Sequence, residues 1–149
     1  MGLVINRPIP GLTFTQLAAQ LEIATRPAFA DFPILYGGPV ETSRGFVLHS
    51  GDYDGGEATV SVSDSIALTA TVDILKAIAE GRGPKRALFA LGYAGWSPGQ
   101  VETEFQANGW LHCDADTNLV FGENDAKWTA ALTRLGVDPS GLVAGAGRA

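Results

Sequence analysis

Apolar side chains recur along this chain at two periods, and the switches between them mark its elements. Leu3, Val4 and Ile5 read as a short buried strand ended by Pro8 and Pro10. TFTQLAAQLE (13–22) reads as a helix. Thr13 and Gln16 spell a capping box, Leu12 and Leu17 occupy the staple positions, and Leu17 and Leu21 share a face. Pro27 and Pro33 bracket a loop. ILYGGPV (34–40) predicts a strand broken by two glycines. In RGFVLHS (44–50), Phe46 and Leu48 alternate with Val47 and His49, a second strand. GDYDGGE (51–57) is an acidic turn, ATVSVSD (58–64) a strand with one wet face, and SIALTA (65–70) another short strand.

Longer-period segments follow. TVDILKAIAEG (71–81) predicts a helix opened by Thr71 and stopped by Gly81. RALFALG (86–92) predicts a buried strand and GQVETEFQANGW (99–110) a helix. GWLHCDAD (109–116) and TNLVFG (117–122) predict one or two strands. NDAKWTAALTRLG (124–136) predicts a helix capped by Asn124, with Trp128, Ala131, Leu132 and Leu135 on one face. Residues 138–149 are Gly/Ala-rich and read as a flexible tail. Consecutive strands broken by single helices, with no repeat and no internal boundary, predict one α+β domain with a mixed sheet over 1–149.

Composition narrows the classes. With 46% apolar and 17% charged residues in 149, the chain is globular and large enough to need no disulfide or metal staple. Cys113 is the single cysteine, so no intrachain disulfide forms, which fits a reducing compartment. A net charge of −6 argues against direct nucleic-acid binding. Arg82, Lys85 and Arg86 read as a solvated loop. No apolar run approaches the roughly 18 residues of a membrane span, and no signal-peptide pattern opens the chain. These features point to the cytoplasm.

GWSPG (95–99) matches the serine-hydrolase pattern G-x-S-x-G and lies between a strand and a helix. Such an elbow needs the N–H of the residue after the serine for its oxyanion hole, and that residue is Pro98. His112 is the one histidine downstream, too close for the usual order of the triad. A capping box fits better: Ser97 as N-cap, Pro98 at the first helical position, and Gln100 closing it. GYAG (92–95) resembles an anion-holding turn but lacks the lysine of a phosphate loop. It is either a tight turn covered by Tyr93 and Trp96 or a ligand or partner site.

The remaining candidates are weaker. His112 and Cys113 are adjacent and would face opposite sides of a strand, and Cys113 reads as a small buried hydrophobe. Two histidines and one cysteine make no structural zinc site. DADTN (114–118) opens like a calcium loop, but its sixth position is Leu119 and its twelfth Asp125. Arg7 and Arg44 are placed to pair with Glu102 or Glu104, and Asn6 to satisfy turn backbone. No cofactor is implied.

Several stretches, in order, resemble the YqgE/AlgH family of bacterial proteins: GLVINRP (2–8), GGPV (37–40), RGFVLH (44–49), ALGYAGWSPGQVETE (90–104) and NGW (108–110). The resemblance covers residues 1–145. It implies an α+β domain with a mixed, barrel-like sheet and flanking helices in a cytoplasmic protein. It implies no enzyme reaction, and it associates the chain with regulation of alginate synthesis and, by an indirect route, of transcription. Family members carry a further N-terminal segment before this motif, so the chain is expected to be truncated relative to them. If strands are absent, a neighbouring edge is exposed and self-association follows.

These readings lead to a non-enzymatic binding or regulatory protein whose partner is a protein or a small molecule. Its surface is expected from Asn6, Arg7, Gly37, Gly38, Pro39, His49, Gly92, Tyr93, Gly95, Trp96, Gln100 and Glu104. The alternative is a small-molecule binder or an enzyme using the GYAGW loop. Its acid–base group would be Glu102 or Glu104, with His49 nearby.

Overall fold

Thr13 ends one element and begins the next. The computed structural model describes residues 1–142, and in it strand β1 (Pro8–Thr13) runs directly into helix α1 (Phe14–Gln20). The Thr13 side chain accepts from Gln16 N, and the Gln16 side chain accepts from Thr13 N at 2.9 Å, so the capping box forms as its spelling predicts. Leu12 and Leu17 each pack against the core cluster that includes buried Phe14 and Ala18.

The prolines correct the first expectation. Pro8 and Pro10 lie inside β1 and do not end a strand. β1 is an edge of the sheet, where a missing N–H costs no ladder bond. Residues 3–5 form no strand of their own. Gly2 and Ala94 exchange backbone bonds of 2.9 and 2.8 Å, and Val4 N donates to Gly37 O at 2.8 Å. This segment is an extended strap along the ends of the next strands.

The remaining strands are β2 (Pro33–Tyr36), β3 (Val40–Ser50), β4 (Thr59–Ser61), β5 (Ile66–Thr69) and β6 (Ala87–Tyr93). The other helices are α2 (Val72–Glu80), α3 (Gln100–Gln106), α4 (Thr117–Val120) and α5 (Asn124–Arg134). The sheet order is β1-β2-β6-β3-β5-β4, with β2 and β6 parallel and the other pairs antiparallel. It is the expected mixed sheet of an α+β fold. It is also open, with β1 and β4 as its edges, so the barrel-like closure does not occur.

Strand alternation sorts the core. Ile34, Val47 and Phe89 form one row and pack with Phe14 and Ala18 of α1 and Ile74, Leu75 and Ala79 of α2. Leu35, Phe46 and Ala90 form the neighbouring row, paired across the sheet and buried on its other face. Burying each large apolar side chain contributes about 1.5–3 kcal/mol. Gly81, left-handed at φ 79, stops α2 as predicted, while Thr71 precedes it without a side-chain cap bond.

The C-terminal third departs most from the expected pattern. Residues 109–116 carry no strand, and 117–120 are the helix α4. Asp116 caps α4 by accepting from Leu119 N, so DADTN is a helix start with no calcium-loop geometry. Helix α3 begins at Gln100 with Gly99, not Ser97, as its N-cap. Pro98 and Gly99 occupy the centre of a turn closed by Gln100 N on Ser97 O at 3.0 Å, and φ 77, ψ −5 at Gly99 is the second position of a type II turn. In α5 the N-cap is Glu123, not Asn124, and the buried face carries Lys127 and Leu132 while Trp128 is 52% exposed. Of the expected flexible tail, Pro139–Gly141 forms one helical turn under Asp138, and residues 143–149 lie outside the described residues.

One crossing fixes the ends of three strands. The turn from β2 to β3 lies directly on the end of β6. A Cβ on Gly37 would fall 2.2 Å from Gly92 O, and one on Gly92, at φ 76, would fall 2.4 Å from Gly38 O. Only backbone fits there. Gly92→Ala is therefore expected to lower unfolding free energy by more than about 2 kcal/mol, read as a fall in the urea midpoint. Gly95→Ala, whose Cβ would meet nothing closer than 3.8 Å, is expected to change the midpoint little.

Candidate functional site

The GYAGW segment begins with the last two residues of β6, Gly92 and Tyr93, and the chain turns back into α3 at the Pro98–Gly99 turn. That return brings Trp96 over the first turns of α3. Gln100 and Glu104 stand four residues apart on one face of the helix. Gln100 Oε1 accepts from Ser97 N at 2.9 Å, and its Nε2 donates to Glu104 Oε1 at 3.0 Å. The amide thus ties the turn to the carboxylate.

Glu104 holds both indoles. Trp96 Nε1 donates to its Oε2 at 3.1 Å and Trp110 Nε1 donates to the same oxygen at 2.7 Å. The two rings meet edge to face, 6.0 Å apart at 72°. NGW explains how Trp110 returns. Asn108, left-handed at φ 58, follows the end of α3, with Asn108 N on Phe105 O at 3.0 Å and Gly109 N on Glu104 O at 2.8 Å. This is a Schellman closure, and it turns the chain back along the helix. The bond from Trp110, with those from Gln100 and Trp96, keeps the Glu104 carboxyl below the usual carboxylate range.

The other predicted residues sort into neighbours, supports and outliers. Arg7 is exposed, its guanidinium 5.6 Å over the Tyr36 ring, and its carbonyl accepts from Tyr36 N at 2.8 Å. Asn6 is half-buried beside it on the strap, and Gly2 packs on the Trp96 ring. Gly37, Gly38 and Gly92 are buried backbone supports, while Pro39 and Gly95 are exposed. Tyr93 packs edge-on against Phe46 at 5.8 Å. Arg44 pairs with Glu41 at 3.3 Å, not with α3, and lies 5.2 Å over Phe46.

His49 is the outlier. It pairs across the sheet with Ala87, while Tyr93 lies six residues further along β6, about 20 Å away at strand rise. It is fully buried, with Nδ1 donating to Ser50 O at 2.8 Å and Nε2 hydrogen-bonded with Thr69 Oγ1 at 2.8 Å. Thr59 Oγ1 stands 2.8 Å from Thr69 Oγ1 and accepts from Gly55 N at 2.9 Å, so the chain of bonds runs from the Ser50 carbonyl to the Gly55 amide. His49 is a satisfied core histidine and does not join Glu104. His112 stacks edge-on with Phe105 at 5.5 Å.

The family model DUF179, AlgH-like, matches residues 1–140. The chain belongs to that family. UPF0301 proteins of Rhodopseudomonas palustris strain HaA2 and of Azorhizobium caulinodans are 54% and 52% identical to it. Both alignments cover all of this chain, and 72% and 77% of those relatives. The solution structure of the AlgH protein from Pseudomonas aeruginosa superposes with a TM-score of 0.76 at 44% identity, covering the whole chain and 79% of that one. A Corynebacterium diphtheriae protein at 13% identity and TM-score 0.62 shares the fold alone, over 83% of this chain.

Two features of the AlgH-like chain were not singled out from sequence. Trp110 appeared only inside the family motif, because its role depends on the return after α3. Lys127 was placed on no functional face. It is 5% exposed, and its Nζ donates to Ile5 O at 2.6 Å and Asn124 Oδ1 at 2.8 Å, tying α5 to the strap. Among the described residues no group of His, Cys, Asp and Glu is arranged to hold a metal ion, and no helix is long and apolar enough to cross a membrane.

Two titrations test these contacts. The lowered Glu104 pKa means the indole clasp persists at neutral pH and loosens only as pH falls below the ordinary glutamate value of 4.5. Tryptophan emission of the wild type should therefore hold steady down to that range and then shift, while Glu104→Gln should show no such step. Burial lowers the Lys127 pKa to about 8 from 10.5. Its charge is thus disfavoured by folding, so stability should rise as pH climbs from 8 to 10.5. Urea unfolding of wild type and Lys127→Met at about pH 7.5, 9 and 10 isolates this as a gain in wild-type stability relative to the variant as pH rises; a constant difference would refute it.

Proposed function

We propose that the protein is a non-enzymatic, cytoplasmic binding protein that acts in regulation through a partner. Its contact surface is centred on Trp96 and Trp110 and flanked by Arg7 and the Gly37–Pro39 turn. The observation that carries this reading is the single carboxylate holding two indoles at the surface, with Trp96 half-buried and Trp110 exposed. Aromatic side chains fixed before contact lose little entropy on binding, and tryptophan and arginine are common interface anchors. The regulatory role follows the family resemblance, by an indirect route that the acidic charge favours over direct DNA binding. The acid–base alternative lacks its histidine, because His49 is buried at the far end of β3.

Affinity capture from bacterial lysate compares wild type with an Arg7→Ala/Trp96→Ala variant whose circular dichroism matches wild type. A specific protein retained by wild type and lost in the variant is expected. An identical set of captured proteins would count against this surface, and Trp110→Ala provides an independent variant should the first one unfold.

A further inference from the structure

Beside the tryptophan pair lies an open groove of about 530 Å³, within the size range of binding clefts. Phe105, Trp110, Leu111 and Leu135 line it, with His112 as a polar member. These four large apolar side chains are each 37–57% exposed, a concentration that a soluble surface rarely leaves uncovered.

Charge says what would cover it. Residues 100–142 carry seven acidic side chains against two basic ones, whereas residues 1–99 carry nine against seven. Neither of the two cations faces the groove as a free charge. Lys127 is buried on Ile5 O, and Arg134 is bidentate on Asp116 at 3.0 and 2.9 Å. Carboxylates flank the groove. Glu104 holds Trp110, Asp138 follows the lining residue Val137, and Asp114 lines the adjoining hollow shared by His112 and Leu135. Hydrogen bonds from Trp110 to Glu104 and from Ser140 to Asp138 favour the ionised forms of both.

We propose that this groove receives an amphipathic helix of a partner protein, its apolar face seated on Phe105, Leu111 and Leu135 and its basic face toward the surrounding carboxylates. Helix-in-groove recognition uses an apolar stripe at i, i+3, i+4 and i+7, and the local surplus of negative charge selects lysine and arginine on the rest of the helix. The proposal rests on the binding reading above and names the chemistry of the partner.

The probe is a fluorescein-labelled synthetic helix of about 16 residues with leucine at that spacing and lysine or arginine elsewhere, followed by anisotropy against the full chain. Binding is expected to weaken about tenfold with Leu111→Ser/Leu135→Ser, about tenfold when glutamate replaces the basic residues, and further as salt rises. Both leucines are exposed, so the fold should survive, and circular dichroism checks this. Absence of binding to wild type, equal binding to the leucine variant, or equal binding of the acidic peptide would each overturn the proposal. A protein that captures a cellular partner through Trp96 yet ignores the basic peptide overturns the helix-in-groove proposal and leaves the binding reading intact.

Discussion

Strand β6 has β2 on one side and β3 on the other, and the chain passes between them in three residues. Crossing a strand at sheet spacing covers about 10 Å, and the four Cα steps from Tyr36 to Val40 reach at most about 14 Å. The connection has no slack to arch over side chains. It must lie on the backbone of β6, and Gly37, Gly38 and Gly92 are where the two backbones touch. The rest of the architecture depends on this contact. It sets the register of the central strands, and it places Gly37 O where Val4 N of the strap binds it.

The same contact decides where the aromatic node stands. Gly92 at φ 76 breaks the alternation of β6, which turns Tyr93 toward Phe46 and sends the chain past the strap to Trp96. From there the Pro98–Gly99 turn and the closure after α3 set the path, and side-chain bonds hold the node. Ser97 reaches Gln100, Gln100 reaches Glu104, and Glu104 takes both indoles. A rigid backbone crossing thus supports a surface whose precision comes from one carboxylate on a two-turn helix. Lys127 braces the other end of the strap from α5, at the cost of burying an ammonium.

Legibility in the sequence followed how local each signal was. The α1 capping box and the Gly81 stop were readable because their partners lie within a few residues. Most of the sheet was readable because Ile34, Val47 and Phe89 sit in apolar runs with clear limits. Pro8 and Pro10 misled because their tolerance depends on β1 being an edge, which is a property of the assembled sheet. GWLHCDAD looked like a strand because Trp110, Leu111 and Cys113 are apolar, yet these side chains serve a loop and a groove. In α5 the most hydrophobic face placed Trp128 inward, but the Ile5 carbonyl needs a donor, and Lys127 supplies it. For the site, the motif residues around Trp96 were legible and their purpose was not. Gly37, Gly38 and Gly92 lie where two backbones cross, His49 is buried in the core, and the Glu104 clasp needs Trp110 from beyond the helix.

Charge is distributed along the same division. Residues 1–99, which build the sheet, are nearly balanced, while residues 100–142 hold most of the negative surplus. Such an imbalance does nothing for the sheet core, where Phe14, Ile34 and Val47 already exclude water. It raises self-repulsion in the helical segment, a cost that folding alone gives no reason to bear. A field of one sign beside exposed aromatic and aliphatic side chains does two things for a binding surface. It steers an oppositely charged partner toward the groove, and it disfavours two acidic copies meeting there face to face. On the proposed reading, the groove stays apolar and open without inviting self-association through that face, because carboxylates that would attract a basic partner would repel a second acidic copy.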